Sequence, residues 1–299
     1  MRRPNRGATK RNEAAVNVEQ EYIKDIEKLA PCPQVALDVL AIAHEHDCSI
    51  SVLTEKIERD PSLTANMLQM ANSAYFGHMK KISSVNDIIV RLGIESVKII
   101  AITSASQGLL KSAQEAYALS SDQLWQHSYA TAILASIIGR YAKLKDSPSL
   151  YTAALLHDIG KIVLNRPLQI ERYNHPEIPA ETPLLVKEQQ LLHTDHARVG
   201  MALLEKWGLP ESVSVPVGMH HTLDQPQAQR VNAKVVHLAN VLAHLTSIDE
   251  EGGEFFFDVL AYEDRRARLP EVPQFEKNMR IIIEEFVEKY QSTVAVYVL

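Results

Sequence analysis

The sequence predicts an all-α fold, and three observations carry that prediction. Six Phe and two Trp in 299 residues leave a core built mostly of Leu, Ile, Val and Ala. With a hydrophobic content of 46% and only 11 Gly, that composition favours helices. Apolar residues also recur at helical spacing along much of the chain, with capping residues in front of several of the runs. The length suits one large domain or two ordinary ones, and a charged content of 23% is that of a soluble globular protein.

From Glu19 to about Ser112 the pattern is a series of short amphipathic helices. The clearest is predicted from Asp60 to Phe76. Asp60 can accept from the free amides of the first turn, Pro61 suits the first helical position, and Leu63, Met67, Met70, Ala71 and Ala74 share a face before Gly77 ends it. Ser84-Val85-Asn86-Asp87 then has the pattern of a capping box and starts a helix over Ile88 to Leu92. Gly93 breaks it, and Ile94 to Ala105 is helical again. Two helices about a glycine invite comparison with a helix-turn-helix. The second, however, carries Val97, Ile99, Ile100 and Ile102 with Lys98 as its only basic residue, which makes a poor reader of DNA.

In the second half, His127 shares a helical face with Ala130, Leu134, Ile137, Ile138 and Tyr141. Leu155-Leu156-His157-Asp158-Ile159-Gly160-Lys161 then sets ionisable groups into an apolar helical run. Burying such groups is costly unless they are paired or bound to a metal. A neutral imidazole and a neighbouring carboxylate can together hold a divalent cation, and Lys161, one turn beyond His157, can reach an anion held there. Taken alone, the His-Asp pair also fits a structural hydrogen bond. The polar, Pro-rich stretch from Asn165 to Pro183 predicts a surface excursion.

Helix resumes from Thr182 and breaks near His193-Thr194-Asp195. Thr194 or Asp195 can cap a helix whose inward face is His196, Val199, Gly200, Leu203 and Trp207, ended by Gly208 and Pro210. His220-His221 follows Val213 and Val217, with Pro216 predicting a kink or a late helix start. Val231, Val235, Leu238, Leu242 and Leu245 form a further stripe, with Asn240 beside it. Beyond Thr246, Asp249 to Glu254 is a predicted loop and Phe255-Phe256-Phe257 a dense aromatic patch. Phe275 to Tyr290 is an amphipathic helix, and Thr293 to Leu299 is apolar and β-branched, suiting an extended segment.

A net charge of -6 speaks against a nucleic-acid binder. Basic residues do cluster in Met1 to Arg11, among Pro, Asn and Gly and without the apolar stretch of a secretory signal, so residues 1–18 are expected to be a disordered basic tail. Cys32 and Cys48 make neither a metal-spacing motif nor a disulfide framework. With no apolar run of membrane-spanning length, the expected compartment is the cytoplasm.

Several short motifs occur in a fixed order. They are Pro31-Cys32-Pro33, Asp60 to Leu63, Ala71 to Gly77, Ile88 through Gly93, Leu124 to Ser128, Leu155 to Lys161, Asp195-His196-Ala197, Trp207 to Pro210 and His220-His221. In that order they resemble the HDOD domain, the HD-related output domain of bacterial signalling proteins, over about residues 19 to 245. The resemblance implies an N-terminal helical bundle over residues 19–112, packed on an HD-superfamily-like bundle over 113–245, with 246–299 as a C-terminal helical extension. It also implies that His127, His157, Asp158, His196, His220 and His221 stand where HD phosphohydrolases present metal ligands, for Mn, Fe, Mg, Ni or Zn.

Two positions depart from the enzymes' pattern. Asn240 stands where the enzymes carry an aspartate on the late helix, and a neutral carbonyl holds a divalent cation less well than a carboxylate. Gln123 stands where the related HD-GYP phosphodiesterases carry a glutamate, and nothing matches their Gly-Tyr-Pro segment. The expected function is therefore a non-catalytic regulatory module that works through contacts with a signalling protein, with a nucleotide or small molecule as a further ligand and self-association open. DNA and membrane are not expected partners. The alternative is a metal-dependent phosphohydrolase acting on a nucleotide or cyclic dinucleotide, with Lys161 steadying the phosphate. The working surface is expected outside the histidines, on the N-terminal bundle or on Phe255 to Phe257 and Val294 to Leu299.

Overall fold

A computed structural model describes residues 18–24, 38, 42, 49–72, 81–112, 114–145, 147–223, 230–248, 255–266 and 269–297. The expected basic tail lies outside these residues except for Val18, which is helical along with the rest of 18–24. The Pro31-Cys32-Pro33 motif, the Ser73 to Gly77 stretch and the Asp249 to Glu254 loop also lie outside them.

The fold is all-α, as expected, with one short β-ribbon. After the helical residues 18–24 come α1 (Ile50–Glu58), α2 (Pro61–Ala71) and α3 (Val85–Leu110). Asp60 caps α2 as its sequence predicts, accepting from the amides of Ser62 at 2.9 Å and Leu63 at 3.0 Å. The helix ends at Ala71, and the rest of the expected stretch, Ser73 to Phe76, lies outside the described residues. Asn72 stands at that end: its Nδ2 donates to Leu68 O and to Ile82 O, while its Oδ1 accepts from the Ile82 amide. The side chain thus closes the helix and ties it to the strand of chain leading into α3. At that start Ser84 Oγ accepts from the Asp87 amide at 3.0 Å, and Asp87 reaches back to Ser83 Oγ. Gly93 breaks α3 with φ 77° and ψ 167°, a conformation that a side chain would strain. Beyond it the helix continues to Leu110, past the expected Ala105.

A 3₁₀ turn (Glu115–Tyr117) leads to α4 (Gln123–Tyr141), followed by α5 (Ser147–Leu155), α6 (Gly160–Asn174), α7 (Leu184–Leu192), α8 (His196–Lys206), α9 (Glu211–Met219) and α10 (Arg230–His244). Helix α4 is central and packs against α5, α10 and, beyond the short α11 (Val259–Arg266), a late helix, α12 (Phe275–Tyr297). The second part of α3 packs on α5, where Thr103 Oγ1 meets the Tyr151 hydroxyl at 2.7 Å in the core. Leu134, Ile100, Leu203 and Leu238 are among the fully buried side chains. Each such residue contributes about 1.5–3 kcal/mol relative to exposure.

Three expectations are corrected. The predicted surface excursion from Asn165 is helical through Pro167 to Asn174, and only residues 175–183 are loop. Tertiary contact outweighs the proline: Asn165 Oδ1 accepts from the Ala116 amide and Arg172 donates to Ala116 O, fastening α6 to the 3₁₀ turn. Phe255–Phe257 is a strand, paired antiparallel with Thr246–Ile248 so that Thr246 faces Phe257, and Phe257 packs partly buried against the core. The chain end is helical through Tyr297 instead of extended, because α12 is already formed from Phe275 and adding turns to an existing helix is easy. Ile282, Phe286 and Tyr290 of α12 are buried in the core, with Tyr290 6.3 Å from the Tyr129 ring of α4. Among the described residues no helix is long and apolar enough to cross a membrane.

Candidate metal centre

The six residues named from the sequence come together at one place, each from a helix end or turn except His127. His157 and Asp158 are not inside a helix but in the tight turn between α5 and α6. Its amides are satisfied by short-range bonds, Ile159 to Leu156 O and Lys161 to Asp158 O. Gly160 then lets α6 touch α8: a Cβ there would lie 2.0 Å from the His196 carbonyl oxygen. His196 is the first residue of α8, which Asp195 caps through the Arg198 amide at 3.0 Å. His220 and His221 end α9, which begins at Glu211 and runs through Pro216 without the expected late start.

Asp158 stands at the middle. Its Oδ2 is 3.4 Å from His157 Nε2 and 3.9 Å from His127 Nε2, and its Oδ1 is 3.2 Å from His196 Nε2. His196 Nε2 is in turn 3.1 Å from His221 Nε2. Two donor sets result, His127 with His157 and Asp158, and His196 with His220 and His221; within each, the potential ligand atoms lie within 4.8 Å of one another.

The residues fit a divalent cation, and the ring tautomers are the reason. His157 Nδ1 lies 2.8 Å from Ala154 O and His220 Nδ1 2.6 Å from Val217 O. A carbonyl only accepts, so each Nδ1 carries the proton and each Nε2 keeps its lone pair. Both Nε2 atoms are buried and without a hydrogen-bond partner, an arrangement that costs about 1–3 kcal/mol per group unless something binds there. Burial pushes the pKa of His157 down to about 4 and of His221 to about 3, and takes His127 and His220 well below the usual imidazole range. They are therefore neutral, and His157 and His220 can ligate through Nε2.

His196 and Asp158 behave differently. Burial opposes charge on His196, but hydrogen bonds to Asp158 and Glu188 outweigh it and raise its pKa to about 9. Burial likewise works against ionised Asp158, yet His157, Lys161 and His196 hold its carboxyl well below the usual carboxylate range.

Lys161 does not point outward to an anion. Its Nζ is 2.5 Å from Asp158 Oδ2, and the ammonium lies 5.7 Å from the Tyr117 ring centre. Asn240 is where the late helix brings it to the cluster, its Oδ1 accepting from His127 Nε2 at 2.9 Å. Gln123, in contrast, is exposed on the first turn of α4, with its Oε1 taken by the Ser120 amide.

Glu188 was not found by the sequence reading. It is fully buried on α7, accepting from the His196 amide at 3.0 Å, from His196 Nδ1 at 2.8 Å and from the Tyr117 hydroxyl at 2.7 Å. The signal was a carboxylate four residues after Leu184 and four before Leu192, inside an apolar stripe. His237 and His244 of α10 were missed too. Their Nδ1 atoms bond to His220 O and Asn240 O, and the His244 ring centre is 4.2 Å from that of His127.

The place of Asn240 gives one expected result. Asn240→Asp sets a second carboxylate beside His127 and is expected to raise affinity for a divalent ion at least about tenfold, or 1.4 kcal/mol, in titration calorimetry. Unchanged affinity would mean that the neutral oxygen is not what limits binding.

Comparison with known proteins places these observations. The HDOD domain pattern matches residues 29–223, more than half of the chain. An uncharacterised protein of Treponema pallidum (strain Nichols) is 27% identical over 228 residues, covering 74% of this chain; the match spans 42% of that relative's length. A crystal structure of an HDOD domain protein of unknown function from Geobacter sulfurreducens superimposes with a TM-score of 0.75 at 22% identity, over 96% of this chain and 99% of that one. A candidate phosphohydrolase from Shewanella amazonensis SB2B gives a TM-score of 0.66 at 16% identity, over 92% and 97%. A candidate signal transduction protein from Marinobacter aquaeolei VT8 gives 0.60 at 22% identity, over 95% and 65%. At these identities the structures establish the fold.

Proposed function

Since the chain belongs to the HDOD domain family, we propose that it is a signal-transduction module that acts through contacts with other proteins and turns over no phosphate ester. The observation that carries this is the depth of the histidine centre, of which only His127 and His221 reach part-way to the surface. His157, Asp158, His196 and His220 are at most 1% exposed, and Lys161, the group that would steady a phosphate, is paired with Asp158 instead. The neutral Asn240 adds to it, since a phosphohydrolase needs its metal charge balanced and its water activated. Residues 19–112 and 113–245 are the two helical subdomains of the module in this reading, with 246–299 as an extension packed on α4.

A second reading has its own support in the partnerless Nε2 atoms of His157 and His220. Under it the chain is a metal-dependent phosphohydrolase of nucleotides or cyclic dinucleotides. His127, His157 and Asp158 on one side and His196, His220 and His221 on the other would hold the metal, which supplies an activated water when bound. An imidazole-rich set suits Mn, Fe, Ni or Zn better than Mg.

Metal content after purification without chelator, joined to a screen of phosphodiesters and cyclic dinucleotides with added manganese, separates the two. No enzyme-like turnover is the expected result. A rate near ~1 per second, lost on His157→Ala, would establish the second reading in its place.

A further inference from the structure

We infer that Lys161 is a tethered cation that competes with a divalent ion for the His127–His157–Asp158 side of the centre, so that this side loads only when Lys161 withdraws. The inference rests on the metal-binding reading and adds what controls loading. Its ground is the sharing of one oxygen. Asp158 Oδ2 is the carboxylate atom that faces His157 Nε2 at 3.4 Å and His127 Nε2 at 3.9 Å, and it is the atom that Lys161 Nζ holds at 2.5 Å. A positive charge on that oxygen disfavours a divalent cation on the same atom, because like charges a few Å apart in a site of low dielectric repel strongly.

The seat of Lys161 is built, not incidental. The lysine is only 8% exposed, and its ammonium faces the Tyr117 ring at 5.7 Å. That ring is fixed from both ends. The Tyr117 hydroxyl donates to Glu188, and the 3₁₀ turn is fastened to α6 by Asn165 and Arg172. Because α6 also carries Lys161, the turn, the ring and the ammonium hold their places together. The other carboxylate oxygen, Oδ1, faces His196 Nε2 and is not touched by Lys161 in this way. The two donor sets therefore meet different oxygens of Asp158: Lys161 holds Oδ2 on the His127 side, and His196, itself one of the donors, holds Oδ1 on the other.

The consequence is a centre whose loading answers to whatever moves the 3₁₀ turn, which is what a signalling module needs from a buried site. Manganese titration calorimetry on the full chain tests it. Lys161→Met, which keeps length and removes charge, is expected to bind manganese at least about tenfold tighter than the wild type, whereas Lys161→Arg, which keeps the charge, is not tightened. A crystal of the wild type grown with manganese is expected to show Lys161 Nζ withdrawn from Asp158, and this readout stands even if Lys161→Met does not fold. Equal affinity in wild type and Lys161→Met, or Lys161 still bonded to Asp158 with manganese on His127 and His157, overturns this inference alone. No manganese in any of the chains removes the metal-binding reading, and the inference with it.

Discussion

Gly160→Ala is expected to cost the protein much of its stability and to take apart the histidine centre at the same time. The added Cβ would stand 2.0 Å from the His196 carbonyl oxygen, 2.8 Å from its carbon and 2.9 Å from the Gly200 amide nitrogen. All three are backbone atoms, so no side chain can turn away and the starts of α6 and α8 must part. Overpacking costs about 1–3 kcal/mol, occasionally more, and a clash of two backbones belongs at the upper end. For a chain of this size that corresponds to a fall in Tm of about 5 °C. The same parting draws His196 away from Asp158, now 3.2 Å apart, so manganese binding should be lost in whatever folded protein remains. A melting temperature within about 2 °C of wild type, with binding intact, would show that the two helix starts tolerate separation.

Glu188→Ala is the second large effect. Its carboxylate takes three donors, the His196 amide, His196 Nδ1 and the Tyr117 hydroxyl, all deep in the bundle. Deleting one partner of a buried charged network costs about 3–5 kcal/mol, because the groups left behind have no water to turn to. Glu188→Gln keeps the volume and one acceptor oxygen, so its loss should be clearly smaller. Urea unfolding of both variants measures this, with an unchanged m-value confirming that the same surface unfolds. If both stay within about 0.5 kcal/mol of wild type, Glu188 is not a support of the centre.

Much of the molecule was legible in advance, and the reasons are local. Asp60, Pro61, Ser84, Gly93 and Asp195 act at fixed offsets from the helix ends they define, and all do so here. The stripe from Val235 to Leu245 lies in the core because a period of 3.6 leaves its apolar side one place to go. His127, His157, Asp158, His196, His220 and His221 were named together through the resemblance of their motifs, in their order along the chain, to the HDOD domain.

Other features depended on partners far along the chain. Pro167 reads as a helix breaker until Ala116, 49 residues away from Asn165, fastens the helix that contains it. Phe255 to Phe257 reads as a patch until Thr246 to Ile248 pairs with it. The β-branched tail reads as extended until α12 carries it as far as Tyr297.

The sequence by itself determined the all-α class, through spacing and residue type over short windows, and the family, through the order of its motifs; the six residues that meet at the centre were pointed to by that resemblance. The tertiary structure alone decided that Lys161 turns inward to Asp158, that Glu188 stands behind His196, and that Gly160 is the point where two helices touch. Those are facts of approach between segments distant in the chain. Approach is set by packing: a buried charge takes the nearest opposite charge, and a backbone comes close only where no Cβ stands in the way.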